Sequence, residues 1–130
     1  QFKLPAAPYV AKENTIIDIE FLKEKKKYLE QFCDLLIIEG AGGLMVPIEK
    51  DLFIIDLIKI FEASAILIAP SKLGCINDTI LSVNVLKEKN IDFELFINLY
   101  QDIESFEKVS KPFLIDYFKK LNFLEDLENL

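Results

Sequence analysis

Three short apolar runs along the chain predict strands. Asp34–Ile38, Ala65–Ala69 and Phe93–Ile97 are almost continuously apolar and lack the alternation of a strand with one face in water. Such runs are typical of parallel strands that are covered on both faces. We therefore expect three buried strands in one sheet.

Amphipathic segments between these runs predict helices. Asp18 favours a helix N-cap, and apolar residues recur at helical spacing from there to Phe32. Further helices are predicted over Asp51–Phe61, over Asn77–Lys89 and near Pro112. Because strands and helices alternate, the pattern predicts an α/β fold with a parallel sheet flanked by helices. We expect residues 1–130 to form a single α/β domain.

Composition narrows the possible functions. The 130 residues carry a formal charge of -7, which argues against nucleic acid as a partner because phosphate binding needs a basic surface. No apolar stretch approaches the roughly 20 residues that span a bilayer, so no membrane partner is expected. The chain has no histidine, which excludes a Ser/His or Cys/His catalytic pair. Its two separated cysteines fit a reducing, cytoplasmic location.

Each predicted strand is followed by polar or flexible residues. Glu39 and a glycine-rich loop follow the first strand, Pro70–Asn77 follows the second, and Asn98 follows the third. Parallel strands end at the same edge of a sheet, and α/β proteins bind ligands beyond that edge. The sequence therefore predicts one ligand site that these three segments share.

Glu39 is a candidate ligand of Mg²⁺. A hard cation of this kind takes one or two carboxylates together with phosphate oxygens. The loop that follows contains Gly40, Gly42 and Gly43, and its backbone N–H groups are candidates for an anion-binding nest. The plain alternative is a carboxylate that faces solvent or caps the next loop.

Gly74–Asn77 opens the third predicted helix, whose free N–H groups and dipole favour a carboxylate or a phosphate. In the plain alternative, Gly74 makes the turn and Asn77 bonds to its own helix. We expect Cys75 to be a packed residue, because no base is present to activate its thiol. Asn98 either contacts a ligand ring through its amide or satisfies loop backbone.

Two motifs resemble those of the dethiobiotin synthetases. They are EGAGGLMVP at 39–47 and LGCIN at 73–77, followed by Asn98 in the family's order and spacing. Pro5–Ala11 also resembles the family's segment before its first motif helix, with Tyr9 where the family often has histidine. Related amidotransferase-like ligases carry similar acidic-glycine loops, but the combination with LGCIN is specific.

The resemblance implies a P-loop NTPase-like fold and a cytoplasmic homodimer. The family makes dethiobiotin from 7,8-diaminopelargonic acid, CO₂ and ATP with Mg²⁺. CO₂ carbamoylates one amine, ATP phosphorylates the carbamate, and the other amine closes the ureido ring. Phosphoryl transfer of this kind depends on positioning and charge neutralisation more than on covalent help from the protein.

The resemblance also implies roles for residues of this chain. Glu39 would hold Mg²⁺. The residues implied at the diamine and carbamate end of the substrate are Ala41, Gly42 and Val46. The residues implied at the distant carboxylate, reaching across the dimer interface, are Leu73, Gly74, Cys75, Ile76 and Asn77. Asn98 would hydrogen-bond the adenine ring, and Pro112 is the best match to a second adenine-contacting stretch.

The family's P-loop has no counterpart here, because the chain contains no Gly-x-x-x-x-Gly-Lys-[Ser/Thr]. The family's catalytic lysines and first metal-binding aspartate are also without counterparts. We therefore expect the C-terminal part of a larger P-loop domain, without catalytic residues and inactive alone. Two alternatives stay open: a non-catalytic binding domain that lost the P-loop, and a related cobyrinate-type amidotransferase ligase. The motif at 73–77 disfavours the second alternative, since it suits a small dimer that exchanges carboxylate sites.

Overall fold

A computed structural model describes residues 2–129 of the chain. The chain divides into two compact units, with the division between Ala63 and Ser64. No helix among the described residues is long and apolar enough to cross a bilayer.

The first unit combines short helices with a small antiparallel ladder. Its elements in chain order are α1 (Pro8–Ala11), α2 (Ile19–Leu29) with a 3-10 turn at Glu30–Phe32, β1 (Pro47–Glu49), β2 (Leu52–Phe53) and α3 (Ile54–Ile60). The two strands pair antiparallel, with Pro47 opposite Phe53. The glycine-rich loop at residues 39–46 leads directly into β1 of this ladder.

The helix predicted after Asp18 is confirmed as α2. The Asp18 carboxylate accepts a hydrogen bond from the Phe21 N–H at 3.1 Å, which satisfies one of the free donors of the first turn. The α-helix ends at Leu29, and the predicted last turn tightens into the 3-10 geometry that is common at helix ends.

The strand predicted over Asp34–Ile38 is wrong. These residues form no strand in the described part of the chain, and Leu35 and Ile37 are 76% and 82% exposed. A strand exists only where a neighbour accepts and donates its ladder hydrogen bonds. This segment pairs with no strand among residues 2–129, so its apolar side chains stay uncovered.

The helix predicted over Asp51–Phe61 begins later, at Ile54. Leu52 and Phe53 extend to pair with β1 instead. The Asp56 carboxylate accepts a hydrogen bond from the Phe53 N–H at 2.9 Å, a side-chain cap that fixes the helix start directly after Phe53.

Glu49 ties the start of the first unit to β1. Its carboxylate lies 3.0 Å from the Lys12 ammonium and accepts a hydrogen bond from the Ile17 N–H at 3.2 Å. Lys12 also donates to the Thr15 carbonyl at 3.1 Å, and its side chain is only 11% exposed. The hydrogen bonds from Lys12 and Ile17 hold the pKa of Glu49 below its ordinary value.

The second unit contains the predicted parallel sheet. Its elements in chain order are β3 (Ala65–Pro70), α4 (Cys75–Glu88), β4 (Phe93–Asn98), α5 (Ile103–Ser105), a π-helical turn (Phe106–Ser110), α6 (Lys111–Phe118), β5 (Asn122–Phe123) and a 3-10 turn (Leu124–Asn129). The strand order is β3-β4-β5, and both ladders are parallel. The α/β class and the parallel sheet flanked by helices are therefore confirmed.

Strands β3 and β4 each run one residue beyond their predicted ends. The helix predicted from Asn77 begins at Cys75, because Gly74 takes a left-handed N-cap conformation with φ 93°. The C-terminal helix contains Pro112 in its first turn, as predicted. The two-residue strand β5 was not predicted, since so short a segment has no recognisable period.

A buried hydrophobic cluster of the second unit consists of Ala69, Cys75, Ile97, Phe106 and Leu114. Ala69 and Ile97 lie opposite each other on one face of the sheet, and Phe96 is buried on the other face of β4. On the opposite face of β3, Ile66 and Ile68 are 59% and 51% exposed. The prediction that this strand is covered on both faces is therefore wrong for the described residues.

Helix α4 buries a stripe at helical spacing that includes one unsatisfied hydroxyl. The buried residues are Cys75, Thr79, Val83 and Leu86. Leu81 lies outside this stripe and is 57% exposed. The Thr79 hydroxyl has no hydrogen-bond partner among the described residues.

Thr79 supplies a stability test for the second unit. Thr79→Val keeps the side-chain shape and removes a buried hydroxyl without a partner, so we expect unfolding free energy to stay constant or rise by up to about 1 kcal/mol. Urea unfolding measures this change. A loss of more than about 1 kcal/mol would mean that the hydroxyl has a partner in solution.

Glu49 makes the stability of the first unit depend on pH. Its folded-state pKa lies below the unfolded value of about 4.3, so its stabilisation is complete above that value and is lost as pH falls through the folded-state pKa. We expect wild type to melt at a higher temperature than Glu49→Gln at neutral pH, and this difference to shrink below about pH 4.3.

The control is Glu20→Gln, which breaks an exposed ion pair with Lys23 and should change the melting temperature much less. A Glu49→Gln difference that persists undiminished to about pH 3 would contradict the linkage to Glu49.

Candidate functional site

Glu39 presents a free carboxylate at the start of the glycine loop. The residue is exposed, and within residues 2–129 its carboxylate has no hydrogen-bond or ion-pair partner. No group of three or more Cys, Asp or Glu side chains is arranged to hold a metal in the described part of the chain. Glu39 therefore offers one unpaired carboxylate and belongs to no preformed metal-binding cluster among the described residues.

The glycine loop is held against the first turn of α3. The carbonyls of Leu44 and Val46 accept hydrogen bonds from the N–H groups of Ile55 and Ile54, at 2.9 and 3.0 Å. These donors are among those that a helix start leaves without partners. The loop thus caps α3 with its own backbone, and its shape depends on the position of that helix.

Two glycines in this loop are required by its geometry. A Cβ on Gly40 would lie 2.8 Å from Ile54 Cγ2, and Gly42 has φ 89°. At Gly43 an added Cβ would meet nothing within 4 Å. The conformation therefore depends on the first two glycines and not on the third.

The loop is less open to an anion than the sequence predicted. The Gly42 N–H donates to the Gly40 carbonyl at 3.1 Å, and the Val46 N–H donates to the Gly43 carbonyl at 3.0 Å. These two donors are used inside the loop. Of the predicted substrate contacts, Ala41 and Gly42 are exposed and Val46 is half-buried.

In the second unit, the carboxyl ends of β3 and β4 lie side by side. Pro70 is opposite Asn98 in the parallel register. Asn98 is half-buried, and its side chain has no hydrogen-bond partner among the described residues. Pro112 is exposed in the first turn of α6.

The stretch predicted to bind a carboxylate lines a cleft beside α4. The cleft has a volume of about 470 Å³ and is bounded by Leu73, Gly74, Ile76, Asn77, Ile80, Leu81, Val109 and Ser110. It therefore brings together four of the five predicted residues. The fifth, Cys75, is 1% exposed and belongs to the core, as a packed residue would.

The polar groups of this cleft are few. The Asn77 amide donates to the Asp78 carboxylate at 3.1 Å, and Ser110 lies at the far wall. Gly74, not Asn77, is the N-cap of α4, and no side chain caps that helix. The Cys75 N–H donates to the Lys72 carbonyl at 3.1 Å, and the next two residues of α4, Ile76 and Asn77, line the mostly apolar cleft.

Ser71, the residue directly after β3, was not predicted to be a site residue. Its side chain is buried, with 1% exposure, and its hydroxyl donates to the Gln101 carbonyl while accepting from the Gln101 N–H at 3.3 Å. The available signal was a lone serine immediately after an apolar strand, which is too common to single out a residue.

The comparisons with known proteins agree with this arrangement. A family profile described as an AAA domain matches residues 1–129. The chain therefore belongs to this family, whose P-loop NTPase-like fold agrees with the parallel sheet and flanking helices.

Several curated relatives carry the name ATP-dependent dethiobiotin synthetase BioD. The protein from Sulfurovum sp. (strain NBC37-1) is 54% identical over 112 residues, which cover 86% of this chain and 53% of the relative. The protein from Wolinella succinogenes is 37% identical, and the match covers 100% of this chain and 62% of the relative. The protein from Methanocaldococcus jannaschii is 35% identical, and the match covers 97% of this chain and 65% of the relative. The resemblance to dethiobiotin synthetases is confirmed, and the chain spans 53% to 65% of the length of these relatives.

The glycine loop gives a graded stability test. We expect Gly40→Ala to cost about 1–3 kcal/mol, because its methyl group would overlap Ile54. Gly42→Ala should cost about 1–2 kcal/mol from its left-handed backbone. Gly43→Ala is the matched control and should stay within about 0.5 kcal/mol of wild type in urea unfolding. Equal costs at all three positions would contradict the loop geometry.

Proposed function

We propose that the protein acts as an ATP-dependent dethiobiotin synthetase. The observation that carries the proposal is the sheet edge, where Pro70 lies opposite Asn98 and the cleft of residues 73–77 follows β3. The names of the relatives support the same activity. They do not favour a cobyrinate-type ligase or a non-catalytic binding domain.

The reaction joins a diamine, CO₂ and ATP. One amine of 7,8-diaminopelargonic acid bonds to the carbon of CO₂ and loses a proton, which gives a carbamate. A carbamate oxygen takes the γ-phosphoryl group of ATP, and ADP leaves. The second amine then attacks the carbamate carbon and loses a proton, phosphate leaves, and the ureido ring closes. The protein's task is to align these groups and exclude competing water.

Glu39 is the proposed protein ligand of Mg²⁺. A free, exposed carboxylate fits this role, because Mg²⁺ commonly takes one or two carboxylates and completes its shell with phosphate oxygens and water. The bound ion would supply charge neutralisation at the phosphates. Ala41, Gly42 and Val46 are proposed to line the diamine and carbamate end of the substrate.

The cleft beside α4 is proposed to hold the distant carboxylate of the substrate. Leu73, Gly74, Ile76 and Asn77 line it, and the N-terminal dipole of a 14-residue helix favours an anion there. Cys75 would shape this stretch from the core side. The site is proposed to be completed across a homodimer in the cytoplasm.

Asn98 and Pro112 are the proposed nucleotide contacts. The unpartnered amide of Asn98 offers both a donor and an acceptor to the edge of an adenine ring. The phosphate contacts of ATP are assigned to no residue of this chain, because it contains no P-loop sequence. We further propose that the two units are parts of one P-loop domain.

The proposal is tested in the full-length gene product with 7,8-diaminopelargonic acid and bicarbonate. ADP release should require both, and Glu39→Gln should lower kcat by about 100-fold, since removing a metal ligand weakens charge neutralisation. Glu24→Gln makes the same charge change on the exposed part of α2 and should stay within about twofold of wild type.

Two outcomes would count against the proposal in different ways. A Glu39→Gln protein with wild-type rate and Mg²⁺ dependence would show that the metal assignment is wrong. ADP release that ignores the diamine would show that the proposed reaction is wrong.

A further inference from the structure

Ser71 joins two loops of the second unit through a single hydroxyl. The hydroxyl donates to the Gln101 carbonyl and accepts from the Gln101 N–H at 3.3 Å. With 1% exposure, Ser71 is among the most completely buried side chains of the chain. A buried hydroxyl that satisfies both backbone groups of one residue fixes that residue's position as well as its orientation.

The two joined loops are the ones that follow β3 and β4. Ser71 stands directly after β3 and two residues before Leu73, which starts the cleft-lining stretch. Gln101 stands shortly after Asn98, at the end of β4. The contact therefore links the base of the loop with the carboxylate cleft to the base of the loop with the proposed adenine contact.

The chain bends at Gln101. Asp102 has φ 50°, a left-handed conformation that Asp adopts more readily than most residues with a side chain, and Tyr100 is 57% exposed. Gln101 therefore lies between a left-handed turn residue and an exposed one. Removing the Ser71 hydroxyl would leave both backbone groups of Gln101 without this partner.

We propose that Ser71 is a positioning residue that couples the substrate-carboxylate loop to the nucleotide loop. This inference rests on the proposed function for the identity of the two ligands. Ser71 itself touches neither ligand. It acts by holding the two loops in one arrangement, so that a ligand that binds to one loop finds the other loop already in position.

The coupling predicts a particular kinetic pattern. In the full-length gene product, Ser71→Ala should raise the KM values for both the diamine and ATP by about five- to tenfold, the effect of losing one to two modest hydrogen bonds. The kcat should stay within about threefold, because the reacting groups are contacted by other residues. Ser71→Thr restores the hydroxyl and should recover at least one of the two KM values.

Two further variants make this test robust. Ser71→Cys keeps nearly the same volume but offers a weak donor and acceptor, so it should give intermediate KM values even if Ser71→Ala folds poorly. Thr79→Val is the matched control, because it removes a buried hydroxyl of the same unit that has no partner among the described residues. Both KM values should be unchanged in this variant.

Amide exchange tests the contact without reference to activity. In the full-length gene product, Ser71→Ala should speed hydrogen exchange at the Gln101 N–H by about tenfold or more, while Thr79→Val should not. Unchanged exchange at Gln101 in Ser71→Ala would refute the contact. Faster exchange with both KM values unchanged would refute the coupling.

Failure of the proposed function has a separate signature. If the unmutated protein releases no ADP in response to the diamine, the proposed reaction is refuted, and the coupling of those two ligands with it. Exchange at Gln101 that still depends on the Ser71 hydroxyl would then support the contact between the loops alone.

Discussion

The parallel register of β3 with β4 is the constraint on which the candidate site in the second unit depends. Six residue pairs, from Ala65 opposite Phe93 to Pro70 opposite Asn98, keep the two strands in step to their carboxyl ends. The loops that follow must therefore start from the same edge. If β3 shifted by one residue, each of its side chains would turn to the other face of the sheet. Ile66 would then be turned toward the core and Ala69 away from it. The ladder thus fixes both the core and the ligand edge.

The two glycine-containing segments are built by different physical means. The loop after Glu39 is shaped by backbone hydrogen bonds to the first turn of α3 and by the close approach of Gly40 to Ile54. At Gly74 an added Cβ would meet no atom within 4 Å, and only the left-handed backbone favours glycine there. Substitutions in the first segment act through packing at Gly40 and through backbone strain at Gly42, whereas those at Gly74 act through backbone strain alone. Similar sequence features therefore need not have the same structural cause.

The sequence predicted the elements whose pattern is local. Strands β3 and β4 and helices α2 and α4 follow from apolar periodicity and from caps such as Asp18. The stretch at 73–77 was indicated instead by its position after a strand and by the family resemblance. The prediction of a strand at Asp34–Ile38 was wrong, because a strand needs a neighbouring strand to pair with and a local pattern carries no information about that neighbour. Strand β5 is too short to show a period. The Ser71 contact with Gln101 joins residues 30 positions apart, which no local signal reveals.

Isotope incorporation is the sharpest test of the proposal that the protein closes a ureido ring on a diamine. The full-length gene product is incubated with ATP, Mg²⁺, 7,8-diaminopelargonic acid and ¹³C-bicarbonate, and the products are analysed by mass spectrometry. We expect dethiobiotin with the label in its ureido carbonyl and one ADP for each ring formed. ADP formed without labelled dethiobiotin would refute the proposed reaction.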